Sequence, residues 1–150
     1  MQSLKWSVIS FTEKGAELAE KIKRLSKEQQ LPCEIHTYHG RKQVENLNAW
    51  TKEQFSLRNA IIFIGACGIA VRTIAPFLKD KLTDSPVLLL DEAGNYVILL
   101  YSFCIRFQEY ILWGLRSIMA PASVHPLVCR LPHPLLRHIP ERLILIMPLP

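Results

Sequence analysis

The chain of 150 residues contains no run of about 18 uncharged apolar residues, the length that a membrane-spanning helix needs. Its most apolar stretch, residues 99–119, is interrupted by Arg106, Gln108, Glu109 and Arg116. The N-terminus also lacks the apolar segment of a secretory signal peptide. These absences argue against a membrane partner and predict a cytoplasmic chain.

Cysteine pairs with metal-binding spacing are missing as well. The four cysteines are Cys33, Cys67, Cys104 and Cys129. None forms a C-x-x-C pair, so we expect free thiols in a reducing compartment. His36 and His39 lie near one predicted strand end, but no third ligand is close in sequence. We therefore interpret them as surface histidines and expect no metal site in the protein.

Lysine is absent from the last third of the chain. Residues 1–100 hold nine lysines, four arginines and eleven acidic residues, a net charge of +2. Residues 101–150 hold five arginines, no lysine and two acidic residues, a net charge of +3. A domain of +2 with mixed signs is not a polyanion binder on charge alone, so we expect no nucleic-acid partner.

Glycine is scarce after residue 100, where one of the six glycines but seven of the ten prolines occur. Such proline density prevents long helices and removes hydrogen-bond donors from strands. Yet residues 143–147 are too apolar for a solvated linker. We therefore divide the chain into an α/β domain, residues 1–100, and an irregular Pro/Leu/Arg-rich tail, residues 101–150, which is not an independent domain.

The first hundred residues show alternating strand and helix patterns. Predicted strands span residues 6–11, 33–38, 60–64, 87–90 and 96–100. Helices are predicted over residues 15–25, 46–57 and 69–78, the last one interrupted by Pro76. This order predicts an α/β fold: a mainly parallel sheet with helices on both faces and a terminal antiparallel hairpin. The short apolar runs 61–64 and 87–90 should be inner strands.

The apolar spacing also predicts which helix residues face the core. In the second helix these are Leu47, Trp50, Phe55 and Leu57. In the third segment the apolar residues Ile69, Val71, Ile74 and Leu78 indicate a helix. Two further aromatic residues, Trp6 and Tyr96, are expected in the core.

Ligands of parallel α/β sheets bind beyond the carboxyl ends of the strands. Two loops fall there, residues 10–15 with Thr12, and the glycine loop Gly65-Ala66-Cys67-Gly68. Glycine lets backbone N–H groups approach a ligand, and a helix N-terminus favours an anion. Arg72, one turn after Gly68, adds a charge for a carboxylate. The alternative is that the glycines only make a tight turn, since the loop lacks the Lys-Ser/Thr of a phosphate-binding loop.

Four other residues near these loops have two interpretations each. Lys79 and Lys81 either meet an acidic ligand beside the glycine loop or form a solvated helix end. Asp91, at the end of a strand, either contacts a ligand or starts a turn through its own side chain, which we favour. Cys67 is either a nucleophile at a helix N-terminus or, as we favour, a small packing residue.

A longer compound pattern runs through residues 61–98. The glycine loop is followed by Ile-Ala-Val-Arg, then Ile-Ala-Pro at 74–76 and Lys-Asp-Lys at 79–81. Residues 91–98 read Asp-Glu-Ala-Gly-Asn-Tyr-Val-Ile. Together these motifs resemble the N-terminal domain of the CbiG family, the cobalt-precorrin-5A hydrolases of anaerobic cobalamin biosynthesis. The resemblance covers residues 4 to about 99.

The resemblance implies a hydrolase that opens the ring lactone of a cobalt-corrinoid intermediate and releases acetaldehyde. The substrate's many carboxylates would suit the glycine loop, Arg72, Lys79 and Lys81. Cobalt would arrive with the substrate, so no further cofactor is implied. The general base stays unassigned. A non-catalytic binding module for an acidic metabolite or corrinoid precursor is the alternative, and the oligomeric state is left open.

After residue 98 the family continues into a Ser-Gly-His segment and a Gly-Gly-Ala-Asn helix start, whereas this chain reads Leu-Leu-Tyr-Ser-Phe-Cys. The break coincides with the loss of lysine and glycine. We therefore interpret the chain as a frameshifted or truncated family member that is inactive or only partly active.

This interpretation predicts that another reading frame of the coding DNA downstream of codon 98 encodes a Ser-Gly-His and Gly-Gly-Ala-Asn continuation. Sequencing the gene and translating both alternative frames checks it. If neither frame encodes such a continuation, the frameshift hypothesis is wrong.

Overall fold

The computed structural model describes residues 4–31, 33–80, 83–101 and 123–126. The strands are β1 Leu4–Ser10, β2 Cys33–His39, β3 Ala60–Ile64, β4 Val87–Leu90, β5 Tyr96–Tyr101 and β6 Ser123–Pro126. The helices are α1 Glu13–Glu28, α2 Leu47–Leu57 and α3 Cys67–Ile74, with one 3-10 turn at Ala75–Phe77. No helix within these ranges has the length and apolar character needed to cross a bilayer.

The six strands form one sheet in the order β2-β1-β3-β4-β5-β6. β1 pairs in parallel with both β2 and β3, and β3 pairs in parallel with β4. β4 and β5 form an antiparallel hairpin. The predicted α/β fold, with β3 and β4 as inner strands, is therefore confirmed.

The tail contributes a strand that the sequence did not predict. β6 pairs in parallel with β5, with Tyr96 opposite Ser123 and Leu99 opposite Pro126. The hairpin thus lies inside the sheet rather than at its end, and the tail is not irregular throughout. The predictions for residues 102–122 and 127–150 lie outside the described residues.

Helices cover both faces of the sheet, as predicted. α1 packs on one face, where Ile62 and Ile64 of β3 are fully buried. α2 and α3 contribute to the core on the other face, with Ile61 and Phe63 of the same strand. Because neighbouring residues of a strand point to opposite faces and both faces are covered, β3 is apolar at every position.

The predicted inward face of α2 is partly wrong. Trp50 is buried, but Leu57 is 61% exposed. The buried face is formed by Trp50, Thr51 and Gln54. At about 100° per residue, Leu57 lies roughly 70° from the centre of this face. It is also the last residue of the helix, since Arg58 follows in the left-handed conformation with φ of 56°. The apolar pattern misled because α2 packs through two polar residues.

Three further apolar residues are exposed, of which Tyr96 was expected in the core. On α3 the buried residues are Ala70, Thr73 and Ile74, whereas Ile69 and Val71 are 40% and 46% exposed. A helix this short faces the sheet along a narrow stripe, and the small Ala70 allows close approach. Tyr96 is 50% exposed because it precedes Val97, the partner of the last residue of β4.

Gln54 is the centre of a buried polar network. Its side-chain oxygen Oε1 accepts hydrogen bonds from Ser7 Oγ at 2.6 Å and from Asn59 Nδ2 at 2.8 Å. Ser85 Oγ donates to the Gln54 backbone carbonyl at 3.4 Å. The network joins β1, α2 and the two segments that precede β3 and β4, so it fixes the helix to the sheet.

We predict that Gln54→Leu lowers the free energy of unfolding by about 2–4 kcal/mol, because Ser7 and Asn59 lose a buried acceptor. Lys52→Leu, an exposed change on the same helix, should stay within about 0.5 kcal/mol. Urea unfolding followed by circular dichroism measures both variants. Equal stability of the two variants would contradict a structural role for this network.

Candidate functional site

The strand order reverses at β1, because the chain leaves β1 for β2 on one side and later returns to β3 on the other. The loops that follow β1 and β3 therefore diverge at the carboxyl edge, which is where ligands of such sheets bind. Phe11 and Thr12 belong to the loop after β1, and the glycine loop follows β3.

Gly65 makes the turn that starts the glycine loop. Its φ is +144°, a conformation that residues with a side chain rarely adopt. Its N–H donates to the carbonyl of Leu90 at 3.0 Å, which holds the loop against the end of β4. The tight-turn interpretation thus accounts for Gly65.

A tight turn does not account for Gly68. A Cβ built on Gly68 meets no heavy atom within 4 Å, and this residue lies in the first turn of α3 with an ordinary φ. Nothing inside the described protein therefore requires glycine there. The residue is exposed, as are its neighbours Ala66 and Cys67.

Backbone donors are open at the start of α3. Thr12 and Asn46 cap α1 and α2 with their side chains, whereas Ala66 at the N-cap of α3 has no capping group. Arg72 follows Gly68 by four residues and is exposed on the same side of the helix. Helical side chains lean toward the N-terminus, so Arg72 leans toward the loop.

Thr12 and Asp91 come to the same edge of the sheet. Thr12 Oγ1 accepts from the Gly15 N–H at 3.1 Å and donates to Glu92 Oε1 at 2.7 Å. Asp91 Oδ1 accepts from the Tyr96 N–H at 2.7 Å, which closes the turn between β4 and β5. The turn role that the sequence favoured for Asp91 is confirmed.

The structure does not bring Lys79 to the glycine loop, as the ligand-binding interpretation required. Its backbone N–H donates to Asp84 Oδ2 at 2.7 Å, just before β4 begins. Parallel strands all start at the end of the sheet opposite to their carboxyl ends. Lys79 therefore lies near the amino ends of the strands, whereas the glycine loop lies at their carboxyl ends. Lys81 is outside the described residues. Cys67 is an exposed free thiol, so the packing role favoured for it is wrong.

An open surface depression of about 380 Å³, which the sequence did not reveal, lies at the carboxyl ends of β1 and β2. It is lined by Phe11, Thr12, Glu13, His39, Arg41 and Lys42. We call it the β1/β2 cavity. A larger depression of about 630 Å³ is lined by α1 residues alone, so it is a helix surface rather than a convergence of elements.

Glu13 is the carboxylate of the β1/β2 cavity. Lys42 Nζ donates to Glu13 Oε1, and His39 Nε2 lies 3.7 Å from the same oxygen. The hydrogen bond and charge of Lys42 lower the pKa of the Glu13 carboxyl below its usual value, with a smaller contribution from His39. The carboxylate form is therefore favoured.

The two histidines of β2 differ in their surroundings. His36 Nε2 lies 2.9 Å from Glu34 Oε1 on the exposed surface, as the sequence predicted. The His39 side chain is only 13% exposed, so the surface interpretation is wrong for it. The odd spacing in a strand turns the two rings to opposite faces. Within the described ranges no group of three His, Cys, Asp or Glu residues could hold a metal.

A signal for the β1/β2 cavity was present in the sequence. The segment His39-Gly40-Arg41-Lys42 directly follows a predicted strand with a glycine and two cations. The carboxyl-end rule applies to the loop after β2 as well as to the loops after β1 and β3. The contribution of Glu13 was less visible, because its pairing with Lys42 depends on the tertiary fold.

Residues 49–106 match a family model described as Cobalamin synthesis G N-terminal. A cobalt-precorrin-5A hydrolase of Salmonella typhimurium is 49% identical over 51 residues, which cover 34% of this chain and 14% of the relative. One from Priestia megaterium is 27% identical over 130 residues, covering 82% of this chain and 34% of the relative. The chain thus spans about a third or less of these relatives.

A solved structure shares the fold. The crystal structure of a cobalamin biosynthesis protein G homolog from Sulfolobus solfataricus superposes with a TM-score of 0.62 and 24% identity, covering 83% of this chain and 36% of that one. The motifs suggested that the resemblance ends near residue 99. The alignments cover more than four fifths of the chain and therefore include part of residues 101–150, so the resemblance extends beyond residue 99.

We predict that Lys42→Met raises the pKa of the Glu13 carboxyl toward its usual value, because the hydrogen bond and the charge that favour the carboxylate are lost. In the unmodified chain the lowered pKa means that this ion pair adds stability above the usual carboxyl pKa. That stability is lost as the pH falls through the pKa of the folded state.

A carbon-13 NMR titration of the Glu13 carboxyl measures this shift. Lys27→Met, at the other end of α1, is the matched control and should leave the Glu13 pKa unchanged. An ordinary Glu13 pKa in the unmodified chain would contradict the ion pair.

Proposed function

Because this chain contains an N-terminal domain of the CbiG family, we propose that it takes part in cobalamin biosynthesis by binding cobalt-precorrin-5A for hydrolysis. In the proposed reaction water opens the δ-lactone of the substrate and a two-carbon fragment leaves as acetaldehyde. Cobalt enters as part of the substrate, and the reaction takes place in the cytoplasm. The chain contributes the surface that binds and orients the corrinoid.

The observation that carries this proposal is the open glycine loop. Cys67 and Gly68 lie in the first turn of α3, where backbone N–H groups are not used within the helix, and no side chain caps them. Because Gly68 has no packing reason to be glycine, its bare backbone suits close approach by a ligand.

The chemistry of the loop fits the carboxylates at the rim of a corrinoid. A hydrogen bond from a backbone N–H to a charged carboxylate contributes on the order of 1.5–3 kcal/mol. The helix dipole adds roughly 0.3–1 kcal/mol in an exposed site. Arg72, one turn along, supplies a guanidinium group. Its two parallel N–H donors match the two oxygens of a carboxylate. The backbone hydrogen bond and the Arg72 contact together supply less free energy than micromolar binding requires. Micromolar affinity therefore also needs stacking or further carboxylate contacts.

The second candidate function is a binding module that holds the same acidic ligand without opening the lactone. The observation that favours it is the state of Cys67, the thiol within the glycine loop. Its thiol is exposed, and in the described residues no base is hydrogen-bonded to it. The described residues therefore assign no general base through Cys67, and we expect the chain to be inactive or only partly active.

We predict that Arg72→Ala and Gly68→Val each weaken the binding of cobalt-precorrin-5A by about tenfold, the loss of one charge-assisted contact. Both positions are exposed, and a Cβ at residue 68 meets no atom, so the melting temperature should change little. Arg24→Ala, an exposed change on α1, is the matched control and should bind normally. Absorbance titration of the corrinoid measures affinity.

A coupled assay for acetaldehyde separates the two candidate functions. Lactone opening with acetaldehyde release supports the hydrolase, and binding without release supports the binding module. If the folded chain binds no corrinoid precursor, both are wrong. If it binds and neither substitution changes the affinity, the glycine loop is structural.

A further inference from the structure

The β1/β2 cavity places one carboxylate among three nitrogen-bearing side chains. Glu13 Oε1 lies between Lys42 Nζ and His39 Nε2. Arg41 also lines the cavity and has no ion pair among the residues that the structure describes. Lys42 and Arg41 carry two positive charges, and Glu13 balances one of them.

His39 supplies a buried hydrogen-bond donor without an acceptor. Its Nδ1 accepts from the Arg41 backbone N–H at 3.4 Å, so the ring proton of the neutral form is on Nε2. Nε2 is buried and has no hydrogen-bond partner among the described residues, because Glu13 Oε1 at 3.7 Å is too distant. An oxygen placed slightly closer than that of Glu13 would satisfy this donor.

The cations are held on a fixed loop. The Gly40 N–H donates to the Ser10 carbonyl at 2.7 Å, and a Cβ on Gly40 would lie 2.6 Å from the Phe11 ring. His39 N–H donates to Gln43 Oε1 at 2.6 Å, and Gln43 N–H donates back to the His39 carbonyl at 2.8 Å. These bonds close the turn that carries Arg41 and Lys42.

Glu13, in contrast, can leave the cavity at little cost. Its side chain is 71% exposed, and its contacts in the cavity are the ones to Lys42 and His39. An exposed ion pair of this kind contributes little to stability, because solvent screens the charges. A ligand carboxylate that also satisfies His39 Nε2 and Arg41 makes more contacts than Glu13 does.

The geometry points to a second carboxylate-binding subsite at the β1/β2 cavity, in which Glu13 occupies in the free protein the place that a ligand carboxylate takes in the complex. Lys42, His39 and Arg41 are the binding residues, and Glu13 is an internal competitor. Where the ligand is a corrinoid precursor, this subsite rests on the proposed function and binds another of its acetate or propionate groups. A free polycarboxylate would use the same contacts.

The test uses the full chain with two probes: citrate, a small free polycarboxylate, and uroporphyrin, a tetrapyrrole with acetate and propionate groups around its rim. Calorimetry with citrate and fluorescence with uroporphyrin measure affinity. Lys42→Met should weaken binding about tenfold, since it removes a charged donor. Lys27→Met, an exposed change on α1, should have no effect.

Glu13→Gln distinguishes competition from a structural role. Removing the internal carboxylate should tighten binding by about two- to fivefold, the value of an exposed ion pair converted to affinity. If Glu13 only stabilised the structure of the loop, the Glu13→Gln variant would bind the probes more weakly or not at all. In the double variant Glu13→Gln/Lys42→Met the gain should disappear, because Glu13 acts through Lys42.

The possible outcomes separate this subsite from the proposed function. Citrate binding with both expected changes supports the subsite even if cobalt-precorrin-5A does not bind. Uroporphyrin binding without citrate binding, with the same two changes, supports a subsite that requires the tetrapyrrole. Binding of either probe that Lys42→Met and Glu13→Gln leave unchanged overturns the subsite, as does failure of the folded chain to bind both probes.

Discussion

The backbone pairing of β1 on both of its sides is the constraint on which the rest of the structure depends. β1 pairs in parallel with β2 over seven residues and with β3 over five. Because its neighbours are reached by crossovers of opposite direction, α1 is placed on one face and α2 on the other. The same pairing brings the loops after three strands to one edge. Val8 and Ile9, fully buried on opposite faces, anchor this strand in both halves of the core.

Phe11, the first residue beyond β1, stands between the two proposed sites. A Cβ on Gly40 would lie 2.6 Å from its ring, and one on Gly65 would lie 3.6 Å from the ring. The aromatic ring thus lies between the loop after β2 and the loop after β3. Thr12, the next residue, joins α1 to the turn before β5 through Glu92. One dipeptide therefore sets the spacing between the β1/β2 cavity and the glycine loop.

Much of the fold could be predicted from local pattern, because the inner strands are covered on both faces and are apolar throughout. Predictions failed where burial depended on the packing of a particular element. Gln54 is buried because it serves three partners far apart in sequence, and Leu57 is exposed because its helix ends there. At the site, the glycine loop and the turn role of Asp91 could be predicted from the neighbouring residues in the sequence. The pairing of Glu13 with Lys42 was not, because 29 residues separate them and only the fold brings them together.

The position of β2 at the edge of the sheet affects how copies of the chain meet. An edge strand presents unpaired backbone groups to which another strand can add. On β2 the side chains of Glu34 and His36 are polar and exposed. Glu34 Oε2 lies 3.9 Å from Lys5 Nζ of the neighbouring strand. Charged side chains along an edge disfavour the approach of a second strand with the same charges. The edge that supplies His39 to the cavity therefore carries the kind of polar side chains that disfavour edge-to-edge pairing of sheets.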